Sequence, residues 1–245
     1  MNDTNERPTV TLRIPGGWAH PGELLERLPE GVRLTPDELI LPGGEKIEFI
    51  PMAPDGQFPG IFRSSCRRPP KEDELRAVAR YTVNVGLNGP GGSIESARTM
   101  MQAGAAIVRA GGAGVFIDNC GLSHGGRDWI TMTEDGSPDA VSFAFASIVR
   151  GSEEVYTMGM HVMGFPEIQM RTRDLDEDGD TIVEIIRYVC GGGKPIGVGH
   201  VLADEHGPRF QVVAITQDDF GDQSPMHNPF GRLKIVSAKD IAQAN

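Results

Sequence analysis

The 245-residue sequence has few cysteines, few aromatic residues and no long apolar run. Its cysteines, Cys66, Cys120 and Cys190, are far apart and odd in number, which argues against a disulfide framework and against a thiolate zinc site. Widely spaced thiols of this kind are typical of a reducing compartment, so we predict a cytoplasmic protein. Because aromatic residues make up only 6% of the chain, its core must be mainly aliphatic.

Segments that would direct the chain to a membrane are also missing. The first ten residues contain neither a basic stretch nor an apolar stretch, so we expect no signal peptide. The most apolar stretch, residues 140–149, has about half the length that a membrane-spanning helix needs. We therefore expect no membrane partner.

Basic residues are fewer than acidic ones. Lys and Arg number 23 and Asp and Glu number 34, which gives a formal net charge of −11. Nucleic-acid binding depends largely on Lys and Arg side chains that neutralise phosphates, so we expect no nucleic-acid partner. An excess of negative charge suits a basic protein partner, which it would attract over a long range.

The amino-terminal part of the sequence has the pattern of β-structure. Residues 9–14 alternate between apolar and polar types, and residues 39–50 contain two short apolar stretches around a Pro-Gly-Gly turn, which predicts a hairpin. Residues 52–70 are rich in proline and glycine and predict a connection. We therefore predict two parts, a β-rich segment at 1–68 and an α+β body at 69–245.

Two units of strand, helix and strand are predicted in the body. In the first, residues 75–87 alternate, which predicts a strand that ends near residue 87, with a short helix from residue 70 before it as an option. Ser93 is suited to begin a helix, and residues 114–117 predict the next strand. In the second, strands at 155–170 precede a helix after an acidic run, and a strand follows from residue 196. The similar order allows a duplicated βαβ-like unit.

A hairpin of residues 198–203 and 210–215 is predicted near the end of the chain. Strands and helices thus alternate imperfectly, with hairpins at both ends. This order favours an α+β fold with a mixed, largely antiparallel sheet and helices packed mainly on one face.

A glycine-rich turn, Gly91-Gly92-Ser93, lies where a predicted strand meets a helix. Backbone N–H groups and the helix dipole at such a turn can bind phosphate, so these residues are candidates for a phosphate or nucleotide site. The turn matches neither the dinucleotide-binding motif nor the P-loop, and an ordinary connection between strand and helix is the alternative.

Asp174, Asp176 and Asp178 match the opening of a calcium-binding loop and are candidate metal ligands. The twelfth position of that loop requires a bidentate Glu, and here it is Ile185. Carboxylates at a helix N terminus also stabilise the positive end of the helix dipole, which is the alternative role for this run.

Cys120 follows a predicted buried strand and His124 lies four residues later, which makes them candidates for a catalytic Cys–His pair aided by His200. Such a pair needs an orienting group and oxyanion donors, and the sequence identifies neither. His200, Asp204 and His206 share one predicted hairpin and form a second candidate metal site.

Residues 157–168 are unusually rich in methionine and glycine. Glu167 follows Pro166 between two predicted strands, where its carboxylate can accept hydrogen bonds from backbone N–H groups. The glycines are typical of a core strand that passes a crowded backbone, and a Met-rich binding surface is the alternative.

This segment, together with a helix and strand upstream of it, resembles the bacterial domain-of-unknown-function family 4261 over residues 75–236. The resemblance implies an intracellular bacterial α+β domain, and it implies no activity or catalytic residue because the family has none established. The residues that carry it are Thr157, Gly159, Met160, Gly164, Pro166, Glu167 and Ile168, the glycine run at 191–193, and stretches at 96–98 and 114–116.

No catalytic or cofactor motif in the sequence is complete, so we expect no bound cofactor and favour a soluble, intracellular, non-catalytic binding or interaction protein. Two alternatives stay open at this point. One is a hydrolase or transferase at Cys120 and His124, and the other is a phosphate or nucleotide binder at the glycine-rich turn.

Overall fold

Seven α-helices and thirteen strands form the described part of the chain, and the strands divide into two mostly antiparallel sheets. This confirms the α+β class. The computed structural model describes residues 8–176, 180–192, 196–203, 209–215, 221 and 224–237. The strands are β1 (Thr9–Gly16), β2 (Arg33–Leu34), β3 (Glu38–Ile40), β4 (Lys46–Met52), β5 (Val83–Pro90), β6 (Gly114–Ile117), β7 (Leu122–Gly125), β8 (Ser147–Arg150), β9 (Glu154–Met158), β10 (Glu167–Arg171), β11 (Val201–Ala203), β12 (Arg209–Ala214) and β13 (Arg232–Ser237). The helices are α1 (Pro21–Arg27), α2 (Phe58–Ser64), α3 (Glu72–Ala79), α4 (Ile94–Arg109), α5 (Gly126–Asp135), α6 (Pro138–Phe145) and α7 (Asp180–Cys190).

The first sheet has the strand order β2-β3-β4-β5-β1-β6-β7. Strand β1, which was predicted from its alternation, lies between β5 and β6 and pairs antiparallel with both, with Leu12 opposite Leu87 and Ile117. The predicted hairpin is confirmed as β3 and β4. Strands from both sides of residue 68 thus share one sheet, while the division of the chain at that residue stays a prediction.

The second sheet has the order β11-β12-β13-β10-β9-β8, in which β10 and β13 are parallel and the other pairs are antiparallel. The predicted hairpin near the end of the chain is confirmed as β11 and β12, and its turn lies outside the described residues. Strand β11 is one edge of this sheet. The two predicted units of strand, helix and strand differ in how their strands are placed in the sheet. In the first unit one strand, β1, lies between β5 and β6, whereas in the second unit two strands, β12 and β13, lie between β10 and β11.

One hydrophobic core connects both sheets with helices α4 to α7. Leu12 and Leu87 contribute to it from the first sheet, Ile168 and Ile235 from the second, and Met101 from α4; all five are buried. Within the described residues, no helix has both the length and the apolar character that crossing a bilayer requires.

The prediction of a mere connection at residues 52–70 was wrong, because α2 lies there. Phe58 and Phe62 are one helical turn apart and are both buried in a smaller cluster with Tyr81 and Phe116. Side chains of neighbouring strand residues point to opposite faces of a sheet. Val115 and Ile117 of β6 therefore face the main core, while Phe116 lies on the other face of β6 and packs against α2. Proline in the first turn of α2 is compatible with a helix, which proline content alone did not reveal.

The strand predicted to end near residue 87 is confirmed as β5, and the short helix considered before it from residue 70 is α3, which occupies the first half of the alternating stretch. Only Val78 of that helix is buried, and the chain turns to begin β5 at Val83. Alternation of small or half-buried residues does not distinguish an exposed helix from a strand when tertiary packing decides between them.

Candidate functional site

Helix α7 forms one wall of the candidate site. Ile182, Ile186 and Val189 recur at helical spacing and are buried in the main core, to which both sheets contribute. Glu184 and Tyr188 are exposed on the other side of the helix. The helix predicted after the acidic run is thereby confirmed.

Carboxylates of the acidic run support the start of α7. Asp176 accepts a hydrogen bond from the backbone N–H of Thr181 at 3.1 Å, and this bond is the main cause that lowers the pKa of Asp176. Asp174 accepts a hydrogen bond from Arg171 Nε at 3.0 Å. Asp178 lies outside the described residues, and the described ones contain no group of three or more His, Cys, Asp or Glu side chains placed to bind a metal ion. Asp176 thus has the helix-terminal role that was the alternative to calcium binding.

Strand β11 forms the other wall and follows a tight turn. His200 N donates to Gly197 O at 3.0 Å, and Gly199 has a φ of +89°, which only glycine adopts without strain. Gly199 N donates to Val212 O while Val212 N donates to His200 O, both at 2.8 Å, which is the pattern of a glycine β-bulge. The strand predicted from residue 196 was therefore wrong at its start, because the turn occupies that stretch.

A groove of about 630 Å³ lies between α7 and β11. Its walls combine carboxylates near the start of the helix with aliphatic and aromatic side chains further along. The residues that line it are Asp176, Asp180, Thr181, Glu184, Ile185, Tyr188, Val201, Leu202, Ala203 and Phe210.

Two of the most exposed large apolar residues line this groove. Among the described residues, the three most exposed large apolar side chains are Val198 at 62%, Val201 at 60% and Tyr188 at 53%. Val201 and Tyr188 line the groove, and Val198 belongs to the turn that leads into β11. Single exposed apolar residues are ordinary, whereas a group of them beside a concave surface is typical of an interaction site.

The groove is acidic. Asp176, Asp180 and Glu184 line it, and none of its described lining residues is Lys, Arg or His. Arg187 Nη1 lies 3.5 Å from Glu184 Oε1, but both side chains are more than half exposed, so water screens this pair strongly. The groove therefore presents negative charge beside apolar surface.

The predicted nucleophile, Cys120, lies in the loop between β6 and β7 and is 1% exposed. Burial raises the pKa of its thiol to about 12, although the charge of Arg67 acts in the opposite direction. Because the thiolate is the reactive form of cysteine, this environment disfavours nucleophilic chemistry.

His124 lies on β7 with its ring packed against Trp129 and Phe143. Its Nε2 is 2.9 Å from Ala144 O, and burial lowers its pKa to about 4. No hydrogen bond joins this ring to Cys120, although the structure describes both residues. The ring is held neutral against a backbone carbonyl and is not paired with a nucleophile.

His200 is exposed at the edge of the second sheet, where its Nδ1 accepts a hydrogen bond from Gly197 N at 3.1 Å. Among the described residues, no hydrogen bond joins His200 to Cys120 or to His124, so the three catalytic candidates form no hydrogen-bonded group. Asp204 and His206, the other members of the candidate metal site on this hairpin, lie outside the described residues.

Glu167 has the role expected for a carboxylate beside the Met-rich segment. Its Oε1 accepts hydrogen bonds from Gly159 N and Met160 N, each at 3.0 Å, and from Asn228 Nδ2 at 2.9 Å. Its Oε2 accepts a hydrogen bond from Thr157 Oγ1 at 2.7 Å. These groups are buried, and the carboxylate gathers donors that would otherwise lack partners.

Asn119 extends the buried polar network to the first sheet. It accepts a hydrogen bond from Thr11 N at 2.9 Å and donates to Thr9 O at 2.9 Å and to Pro225 O at 3.0 Å. Its Nδ2 also lies 3.1 Å from His161 Nε2. These contacts join β1 to residues around the second sheet, so we assign the network a structural role.

The glycine-rich turn uses its backbone donors within the protein. Gly91 N donates to Pro8 O at 2.7 Å and Gly92 N donates to Val162 O at 2.9 Å. Ser93 Oγ accepts a hydrogen bond from an N–H in the first turn of α4, which confirms its predicted place at the start of that helix. Two of the donors that a phosphate would need are therefore engaged by carbonyl groups.

Sequence reasoning missed the groove because its members are distant along the chain. Tyr188 on the solvent side of α7 and Val201 on a short strand are the available signals, and each is an ordinary surface residue by itself. Searches of family models, of curated proteins and of solved structures find no match to this chain.

Proposed function

We propose that this protein is a non-catalytic binding protein and that its partner presents a basic, partly apolar segment to the groove between α7 and β11. The observation that carries the proposal is the composition of the groove. Exposed Tyr188 and Val201 stand beside three carboxylates, and no basic residue is among the described lining.

The two kinds of surface have separate tasks in this proposal. Apolar contact with Tyr188 and Val201 removes exposed hydrocarbon from water and supplies most of the affinity. Carboxylates such as Glu184 attract Lys and Arg side chains, which raises the association rate and selects against acidic partners. The net charge of −11 extends the same attraction beyond the groove.

The alternative functions have weaker support. A hydrolase or transferase at Cys120 and His124 requires an accessible thiolate, and burial raises the pKa of this thiol to about 12. A phosphate binder at the glycine-rich turn requires free N–H groups, and those of Gly91 and Gly92 already donate to carbonyls.

The reducing cytoplasm is the location that we propose, because all three cysteines are free thiols. The likeness of residues 75–236 to the bacterial domain-of-unknown-function family 4261 also stays a proposal, and it adds no activity.

Fluorescence anisotropy tests the binding proposal. The probes are labelled nine-residue peptides in which Lys or Arg alternates with Val, Leu, Phe or Tyr, each with a partner peptide that carries Glu in place of the basic residue. We expect basic probes to bind and acidic ones not to bind. Affinity should fall as salt is raised, because salt screens exposed charges.

Substitutions locate the binding. Glu184→Lys should weaken binding about fivefold or more, because it replaces an attractive charge by a repulsive one. Glu26→Lys on α1 makes the same change in net charge on an exposed surface outside the groove lining and is the matched control. The proposal is wrong if no basic probe binds, or if the two variants weaken binding equally.

A further inference from the structure

We propose that the basic segment binds as an added β-strand, paired through its backbone with the outer edge of β11. This inference rests on the binding function proposed above and specifies how the groove recognises its partner. The occupant is an extended segment with alternating basic and apolar residues.

The first observation is the position of β11 in its sheet. It is the terminal strand of the order β11-β12-β13-β10-β9-β8, and no strand within the described residues pairs with its outer side. A terminal strand presents backbone N–H and C=O groups that can pair with another chain.

The register shows which groups those are. Val212 N donates to His200 O, and Leu202 stands opposite Phe210. Because backbone groups alternate between the two sides of an antiparallel strand, Val201 and Ala203 direct theirs to the outer edge. An added strand can therefore use two N–H and two C=O groups there.

The composition of β11 is also unusual for an edge. Terminal strands commonly carry charged residues or proline that block pairing, but Val201, Leu202 and Ala203 are all apolar. The opposite edge, β8, ends at the charged residue Arg150. Arg67 donates a hydrogen bond to the carbonyl oxygen of Ala146, the residue that precedes β8. Of the two edges, β11 is the one whose residues include no charged side chain.

The groove places side-chain recognition beside this edge. A strand added to β11 would run about 4.8 Å from it, beside the wall that Glu184, Ile185 and Tyr188 form. Because successive side chains of a strand point to opposite faces, one set of side chains of the added strand faces this wall and the other set faces away from it, while its backbone pairs with β11. Charge complementarity is the reason for choosing a basic segment over a second copy of this acidic chain.

Selective N-methylation of the probe tests the backbone pairing on the unmodified protein. Methyl groups are placed on the N–H groups of either the basic or the apolar residues of the tightest-binding probe. In an added strand the N–H groups of successive residues point to opposite edges, so only one of these sets faces β11. The register is fixed because a slip of one residue would exchange the faces of all side chains. We expect one methylated probe to lose about tenfold or more in affinity while the other binds normally.

Val201→Pro tests the same pairing from the protein side. It removes an N–H that faces outward from the first residue of an edge strand, a place where proline is tolerated. Val201→Ile keeps the N–H, the β-branched shape and the apolar surface, and is the matched control. We expect the proline variant alone to lose about tenfold or more in affinity, with both variants retaining the circular dichroism and thermal unfolding of the parent protein.

The outcomes separate this inference from the function on which it rests. If basic probes bind and Glu184→Lys weakens them, but both methylated probes bind equally, strand addition is wrong and the groove is still a binding site. If no basic probe binds, both proposals are wrong. If light scattering shows a dimer that Val201→Pro abolishes, the edge binds a second copy instead, which also overturns the inference.

Discussion

Replacement of Glu167 by alanine is expected to destabilise the protein severely, because four buried donors lose their acceptor. Gly159 N, Met160 N, Asn228 Nδ2 and Thr157 Oγ1 all donate to this carboxylate over 2.7 to 3.0 Å. A buried donor without a partner costs about 1–3 kcal/mol. Water that enters the cavity, or rotation of the Thr157 and Asn228 side chains, would give some of these donors a new partner. We therefore expect the free energy of unfolding to fall by about 4 kcal/mol or more, which is a large part of the stability of an ordinary domain.

Glu167→Gln is the matched control, because it keeps the shape and one carbonyl oxygen. That oxygen can still accept from Gly159 N and Met160 N, and the Thr157 hydroxyl can rotate to accept from the new amide. We expect this variant to lose only about 1–2 kcal/mol, the contribution of the charge.

Equilibrium unfolding in urea measures both losses, with circular dichroism and the fluorescence of buried Trp129 as probes. The reasoning would be refuted if the alanine variant lost less than about 1 kcal/mol, or if the glutamine variant were as unstable as the alanine variant.

Two further predictions concern buried groups of the first sheet. The pKa of His124 is about 4 against an ordinary 6.5, so the stability that its neutral ring contributes is full above pH 6.5 and is lost as the pH falls to about 4. This loss is about 3 kcal/mol. The His124→Gln variant should therefore show a smaller decrease in the free energy of unfolding between pH 6.5 and pH 4 than the parent protein. An equal decrease in both proteins would contradict this prediction. In the folded Cys66→Ser variant the two buried thiols, Cys120 and Cys190, should both be unreactive toward a thiol reagent at pH 8, and both should react once urea unfolds the protein. Rapid labelling of folded Cys120 would show that its thiol is accessible.

Local sequence patterns predicted those helices and strands in which the start residue and the spacing of apolar residues indicate the same structure. Helix α4 follows from Ser93 at its start and from apolar residues at helical spacing, and the structure has both. Strand β1 follows in the same way from its alternation. Helix α2 was not predicted because it is stabilised by the burial of Phe58 and Phe62 against β6, a strand that is distant along the chain.

The candidate chemistry was harder to predict because residue type does not reveal environment. Cys120 and His124 are close in sequence, but each is buried among its own neighbours and neither is available to the other. The role of Glu167 could be predicted because its donors, Gly159 and Met160, are only a few residues away.

The sequence by itself determined the acidic charge, the α+β order of elements and the scarcity of complete catalytic motifs, because these depend on composition and on spacing along the chain. Only the tertiary structure decided which of the described strands lies at the end of the second sheet and which helix lies beside it. Asp180, Tyr188 and Val201 line one groove because the fold places α7 beside β11, the last described strand of the second sheet. No local sequence pattern predicts that α7 lies beside β11, since this arrangement depends on how apolar surfaces that are distant along the chain pack together.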